Sequence, residues 1–185
     1  MFEKRIDEEL SLRLLEKHHA NALFQLVDVN RERLQRWFPW VETTREPADS
    51  EKFIQGALQG FIDGTSLNCG IWYRKKLAGV VGPHSIREMN NNAEIGYWLG
   101  QEAEGNGVIT RSCTAIIDYL VEERGINRIE ARCVLANDRS RLVMERLGMQ
   151  REGLLRQWLK HDHGYEDVYI YAVLAGEWRE RRGRG

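Results

Sequence analysis

The sequence predicts an α/β (α+β) chain built on a mostly antiparallel sheet of about seven strands flanked by helices. Apolar residues recur at helical spacing in several separate stretches, as helices with one face turned to a core require. Between residues 67 and 99, three segments rich in β-branched and aromatic residues are joined by connections too short for parallel crossovers, which makes an antiparallel meander. Beyond residue 107, helix and strand patterns alternate.

Taken in order, "SLRLL" (11–15) alternates as a short strand. Ala20, Leu23, Phe24 and Val27 then mark a helix, and Asn30 is placed to cap a second short one through Leu34 and Trp37. "PADSEKFIQGALQGFIDG" opens with a proline in a helix-start context, repeats apolar pairs every four residues and stops at Gly64. The meander is "LNCGIWYR", a turn at Lys75-Lys76, "LAGVVGPHSIR", a turn at "EMNNN", and "AEIGYWL". A helix over about 108–124 presents Val108, Ile109, Ala115, Ile116, Tyr119 and Leu120 on one face. The strand "RIEARCVL", the helix "DRSRLVMERLG" ended by Gly148, and strands near 150–157 and 166–174 complete the pattern. The terminal "RERRGRG" reads as a frayed, solvated tail.

At 185 residues the chain is long enough for one core and is expected to form a single domain over 1–185. Lys and Arg number 27 against 28 Asp and Glu, a net charge of −1, so the basic field that nucleic-acid binding uses is lacking. Cys69, Cys113 and Cys133 are too far apart for a metal knuckle and odd in number for a disulfide framework. They read as reduced, buried thiols of a cytoplasmic protein. No window approaches the length of a membrane span, so neither a membrane nor a polynucleotide is expected as partner.

The stretch "EAEGNGVITRS" (102–112) places Gly105 and Gly107 between a strand and a helix. Such turns hold anions, because bare N–H groups point outward and the helix dipole favours negative charge. A dinucleotide fingerprint would need glycine at 110, which is Thr110, and a P-loop would need a Gly-Lys pair that is absent. What remains is either a structural helix-entry loop or one whose N–H groups, from about Gly105 to Thr110, converge on a phosphate without a lysine.

With its flanks the loop is more specific. "AEIGYWLGQEAEGNGVIT", followed about 30 residues later by "NDRSRLVMERLGM", resembles the GNAT superfamily of acetyl-CoA-dependent N-acetyltransferases, and within it the RimJ/RimL-like branch. "LRLLE", "NRERLQRWFPWVE" and "YEDVYIYAVLAGEW" extend the likeness over nearly the whole chain. The resemblance implies the GNAT fold, with a mixed sheet, and acetyl-CoA as cosubstrate without a metal. The family's pyrophosphate loop, Gln or Arg, two residues, Gly, one residue, Gly or Ala, falls on Glu104, Gly107 and Ile109, two of which depart from it. Because the loop works through its backbone, an outward-pointing Glu104 is tolerated, and Ile109 needs room.

By the same resemblance Glu104, Gly105, Asn106, Gly107, Val108, Ile109 and Thr110 surround the pyrophosphate. The pantetheine lies along Tyr97, Trp98 and Leu99, in a wedge opened by a bulge on their strand. The N–H near Tyr97 faces the thioester oxygen. Asn137 bonds the pantetheine, a role that leaves it free to cap the following helix. Ser140 lies near the sulfur. Glu94 is the candidate base, or else a solvated strand residue; His84, His161 and His163 have suitable ordinary pKa values near 6.5, and each has a plain reading as a surface or core histidine. Cys133, inside an apolar strand, reads as structural.

The cluster Trp37, Phe38, Pro39 and Trp40 is either a core plug or, with Trp158 and Tyr165, one wall of a groove for a peptide end. The branch acetylates N-terminal amines of ribosomal proteins, so the resemblance implies a protein or peptide N-terminus as acceptor, by direct attack in a ternary complex. A polyamine or antibiotic amine is the rival acceptor, and a non-catalytic acyl-CoA-binding module the rival function. Assembly as a homodimer is left open.

Overall fold

The computed structural model describes residues 3–161 and 164–183. Its centre is one eight-stranded sheet in the order β1-β2-β3-β4-β5-β6-β8-β7. The strands are β1 (Glu3–Arg5), β2 (Leu10–Leu14), β3 (Cys69–Tyr73), β4 (Lys76–Arg87), β5 (Asn92–Leu99), β6 (Arg128–Val134), β7 (Gln150–His161) and β8 (Gly164–Leu174). The seven expected strands are joined by β1, a three-residue edge strand paired with β2. Only β5 and β6 pair in parallel; the other neighbours are antiparallel. The sheet is therefore mixed.

Strand alternation sorts side chains onto two faces. Cys69, Ile71 and Tyr73 of β3 and Val81 of β4 enter the larger core with α4 (Val108–Asp118). Trp72 and Val80 point the other way, into a smaller core with α1 (Ala20–Val29) and α3 (Pro47–Ile62). A short α2 (Arg31–Leu34) continues α1. Pro47 at the first turn of α3 and the reciprocal Glu46 and Asp49 bonds set where that helix starts. α5 (Asp138–Arg146) lies beside α4 and β6, and α6 (Ala175–Gly183) follows β8.

Three local expectations are corrected. The first hairpin turns at Arg74 and Lys75, both at positive φ (50° and 68°), and Lys76 already pairs with Tyr73. The helix expected over about 108–124 is α-helical to Asp118 and ends in a π-helical turn over Tyr119–Glu123. The basic segment near the end, read as a frayed tail, is helical through Gly183. Trp178 is buried and donates to Asp118 Oδ1 at 2.8 Å, while Arg179 reaches Glu122 and Arg181 reaches the Arg146 carbonyl. An aromatic anchor beside several carboxylate and carbonyl acceptors makes docking more favourable than solvation. Arg184 and Gly185 lie outside the described residues.

No helix among the described residues is long and apolar enough to cross a membrane. Nor is any group of His, Cys, Asp and Glu among them arranged to hold a metal ion.

Candidate active site

The glycine loop sits at the end of β5. Gly105 and Gly107 adopt φ of 76° and 65°, left-handed values that a Cβ would strain, and Gly107 is the N-cap of α4. The first N–H groups of α4 have no acceptor within the helix and point toward the loop. Val108 is buried and Ile109 packs on the core, which gives Ile109 the room it needs; Thr110 is half-buried. What Val108 and Ile109 offer a ligand is backbone. Asn106 Nδ2 donates to the Glu104 carbonyl at 2.9 Å, closing the turn, and Arg111 braces the Asn106 carbonyl at 3.0 Å.

Glu104 does not point outward. Its carboxylate accepts from Arg33 of α2 and Arg139 of α5, so two guanidinium groups outcompete water for it. Arg33 also donates to the Leu99 carbonyl and to Asn30 Oδ1. Asn30 stands at the N-cap of α2, but its side chain makes no capping bond. Its amide instead bonds the Leu26 carbonyl and the Gln101 N–H, each at 2.9 Å, tying α1 and α2 to the loop. Two cations thus flank Glu104 beside the loop.

Behind the loop the sheet opens. β5 and β6 pair only at Asn92/Arg128, Ala93/Ile129 and Glu94/Glu130, and their described ladder ends there. From Ile95 to Leu99, β5 keeps only β4 as its partner strand. The opening is the expected wedge, but the bulge is on β4. Pro83 faces Ile95 and Ser85 faces Glu94, which leaves His84 as the extra residue. Proline has no N–H to give the ladder, which favours the irregularity on its own strand.

A cavity of about 780 Å³ fills the wedge and continues toward α1 and α3. Tyr97, Trp98, Asn137, Ser140, Glu94 and His84 all line it. Tyr97 Oη lies 2.9 Å from Ser140 Oγ, holding that hydroxyl at the mouth of the wedge. Asn137 caps α5, its Oδ1 accepting from Ser140 N at 3.1 Å, so capping and cavity lining coexist. Leu99 is buried. Trp37, Phe38, Pro39, Trp40 and Trp158 form apolar walls, whereas Tyr165 is 61% exposed on β8 and is not part of this lining.

Glu94 departs most from a solvated strand residue. It is 7% exposed, with both carboxylate oxygens 2.8 Å from Arg132 Nη1, His84 Nε2 at 3.4 Å and Arg87 Nη2 at 3.6 Å. Burial alone would raise its pKa. The His84 hydrogen bond and the charges of His84, Arg132 and Arg87 outweigh burial and hold the carboxyl below its ordinary 4.5. Arg132 in turn stacks under Trp158, 4.7 Å from the ring centre. Cys133 is buried, its thiol pushed up to about 11 by burial, so it stays a neutral thiol near pH 7. His161 is buried at the end of β7, and His163 lies outside the described residues.

Sequence reasoning missed Arg33, Arg132 and Arg139. The period-two run Arg128, Glu130, Arg132 signals a charged strand face, but no local pattern joins Arg33 to a glutamate 71 residues away.

The profile of the acetyltransferase (GNAT) domain family matches residues 9–150. The chain belongs to the GNAT acetyltransferases. This acetyltransferase is 34% identical over 180 residues to the Bacillus subtilis (strain 168) protein named "Putative ribosomal N-acetyltransferase YdaF", covering 96% of this chain and 98% of that one. It is 30% identical over 170 residues to the ribosomal-protein-serine acetyltransferase of Escherichia coli (strain K12), covering 92% and 95%. Its fold matches RimL, a ribosomal L7/L12 alpha-N-protein acetyltransferase solved with coenzyme A, at a TM-score of 0.90 and 28% identity over 94% of this chain and 98% of that one. The GNAT fold and the RimJ/RimL-like resemblance are thus borne out. The chain is an acetyl-CoA-dependent N-acetyltransferase of the ribosomal-protein acetyltransferase type.

Proposed function

We propose that the acetyltransferase moves acetyl from acetyl-CoA to the N-terminal α-amine of a protein, a ribosomal protein being the first candidate, by direct attack in a ternary complex. The observation that carries this reading is the shared cavity: the open edge of β5 and an aromatic groove meet at Tyr97, Ser140 and Glu94. One end suits a pantetheine arm along Tyr97, Trp98 and Leu99, the other a peptide end between Trp37, Trp40 and Trp158. The loop from Glu104 to Thr110 suits a pyrophosphate, which its N–H groups and the flanking Arg33 and Arg139 attract.

In this reading the N–H near Tyr97 donates to the thioester oxygen as it becomes an oxyanion. Ser140, steadied by Tyr97 and by the Asn137 cap, stands by the departing sulfur. Asn137 also bonds the pantetheine, and His84 and Glu94 line the part of the cavity where the amine would lose its proton. The neutral Cys133 thiol favours direct attack over a covalent acyl-enzyme. The names of two similar proteins, which specify ribosomal-protein serine and the L7/L12 α-amine, support the choice of acceptor.

The experiment compares peptides with a free Ser or Ala N-terminus against the same peptides blocked there but carrying internal lysine, with thiol release as the readout. The free α-amine is expected to react far faster at pH 7. Faster reaction of lysine or polyamine amines would overturn the reading.

A further inference from the structure

We propose that His84 is the group that takes the proton from the acceptor amine, and that Glu94 is a positioning residue acting through it. The inference rests on the transfer to an amine proposed above and names its base.

The bulge decides where His84 points. As the extra residue between Pro83 and Ser85, it is released from the strand ladder and lines the cavity, half-exposed, on the strand beside Gly96 and Tyr97. Its Nε2 lies 3.4 Å from Glu94 Oε1, so the carboxylate holds the proton on that nitrogen. The other nitrogen, Nδ1, then carries the free lone pair. It lies over Gly96, where a Cβ would meet it at 3.1 Å. Gly96 thus makes room for the ring one residue before the backbone assigned to the thioester.

Glu94 itself is poorly suited to the task. Both its oxygens are bound by Arg132, with Arg87 nearby, which leaves it a weak base. The same charge suits it to stabilise an imidazolium. The charged groups around His84 are Glu94 on β5, Arg87 on its own strand, Arg132 on β6, and Asp49 and Lys52 of α3 across the cavity.

The step balances as follows. Nδ1 takes one proton from the α-ammonium and returns it to solvent. The neutral nitrogen attacks the acetyl carbon, the C–N bond forms, and the C–S bond breaks with its electron pair leaving on sulfur. The second proton lost by nitrogen ends on that sulfur, giving the free thiol.

The test is the pH profile of kcat/KM for a peptide with a free N-terminal Ser, on full-length wild type, His84→Gln, Glu94→Gln and Gly96→Ala, with coenzyme A affinity measured on each. Wild type is expected to show an ionisation from the base in addition to that of the amine. His84→Gln should lose that ionisation and about a hundredfold in rate, with unchanged coenzyme A affinity and partial rescue by added imidazole. Glu94→Gln should keep the ionisation but move it to lower pH, because the imidazolium loses its partner. A wild-type rate or profile in His84→Gln overturns the proposal. So does an ionisation that vanishes in Glu94→Gln alone. If His84→Gln fails to bind coenzyme A, Gly96→Ala decides, since it displaces the ring and keeps every charge; a wild-type profile there also overturns the assignment. If lysine rather than the α-amine proves to be the acceptor, the choice of acceptor falls, and the same profiles on lysine test His84.

Discussion

Single residues in this cavity are held by partners that their neighbours in sequence do not announce. Ser140 is the clearest, its hydroxyl held by Tyr97 from β5, 43 positions away. Ser140→Ala is expected to lower turnover by about ten- to a hundredfold and leave coenzyme A affinity within a few fold, since a thiolate of ordinary pKa near 8.5 already leaves readily. Steady-state kinetics and calorimetry check both parts. Arg132 carries a different prediction. Losing one member of a buried pair costs about 3–5 kcal/mol, and Arg87 and His84 remain beside Glu94, so Arg132→Met should cost about 2–3 kcal/mol. The lowered Glu94 pKa means its contribution is present above 4.5 and is lost as pH falls through the depressed folded value. Denaturant titrations should therefore show the gap between wild type and Arg132→Met narrowing in acid.

At the scale of elements, the loop before α4 is the proposed anion site, built from backbone. Gly107 has open space beside it, so a side chain there would not clash, and the strain of its positive φ costs about 1 kcal/mol, which aspartate tolerates better than most residues. Gly107→Asp should leave the fold intact and place a carboxylate among the outward N–H groups, abolishing coenzyme A binding by calorimetry. Unchanged affinity would show that the loop does not hold the pyrophosphate. Glu104 tests the electrostatics of the same element. Arg33 keeps the Leu99 carbonyl and Asn30 when the carboxylate is removed. Glu104→Gln therefore removes a negative charge without dispersing the nearer cation, and coenzyme A should bind about three- to tenfold tighter at low salt. The gain should shrink as salt screens it. The wedge is likewise a property of paired elements: β5 and β6 part after three residue pairs, and a bulge on β4 turns His84 toward the gap.

For the whole molecule, the layers set which side of the wedge is open to an acceptor. The aromatic wall comes from the segment between α2 and α3 and from β7, and the sheet brings both to the wedge. An α-amine has an ordinary pKa near 7.7–8.0 against about 10.4 for lysine, so near pH 7 roughly a tenth of it is already nucleophilic. A modest base then suffices. The rate on an N-terminally free peptide is expected to climb between about pH 6 and 8 as base and amine deprotonate, and a flat profile across that range would contradict it.

Periodicity along the chain was sufficient for most of the helices and for the meander, and the glycines marked the loop, because each depends on residues a few positions apart. The helical C-terminal segment was not legible, because Trp178 finds its partner Asp118 only through packing. β3 is buried at every position because both its faces are covered, and of the apolar pairs of α3 only Ile54 and Ala57 are buried while Phe53, Phe61 and Ile62 stay exposed. Tyr97, Asn137 and Ser140, which only the family resemblance names, line one cavity. Tertiary structure alone decided the charge partners. Glu104 meets Arg33 across 71 positions and Glu94 meets Arg132 across 38, contacts that exist only once the sheet has brought α2, β5 and β6 together. Nothing near Glu94 or Glu104 in the sequence distinguishes an exposed carboxylate from one neutralised by a distant arginine, because the desolvation and the partner charge that decide between them are both products of packing.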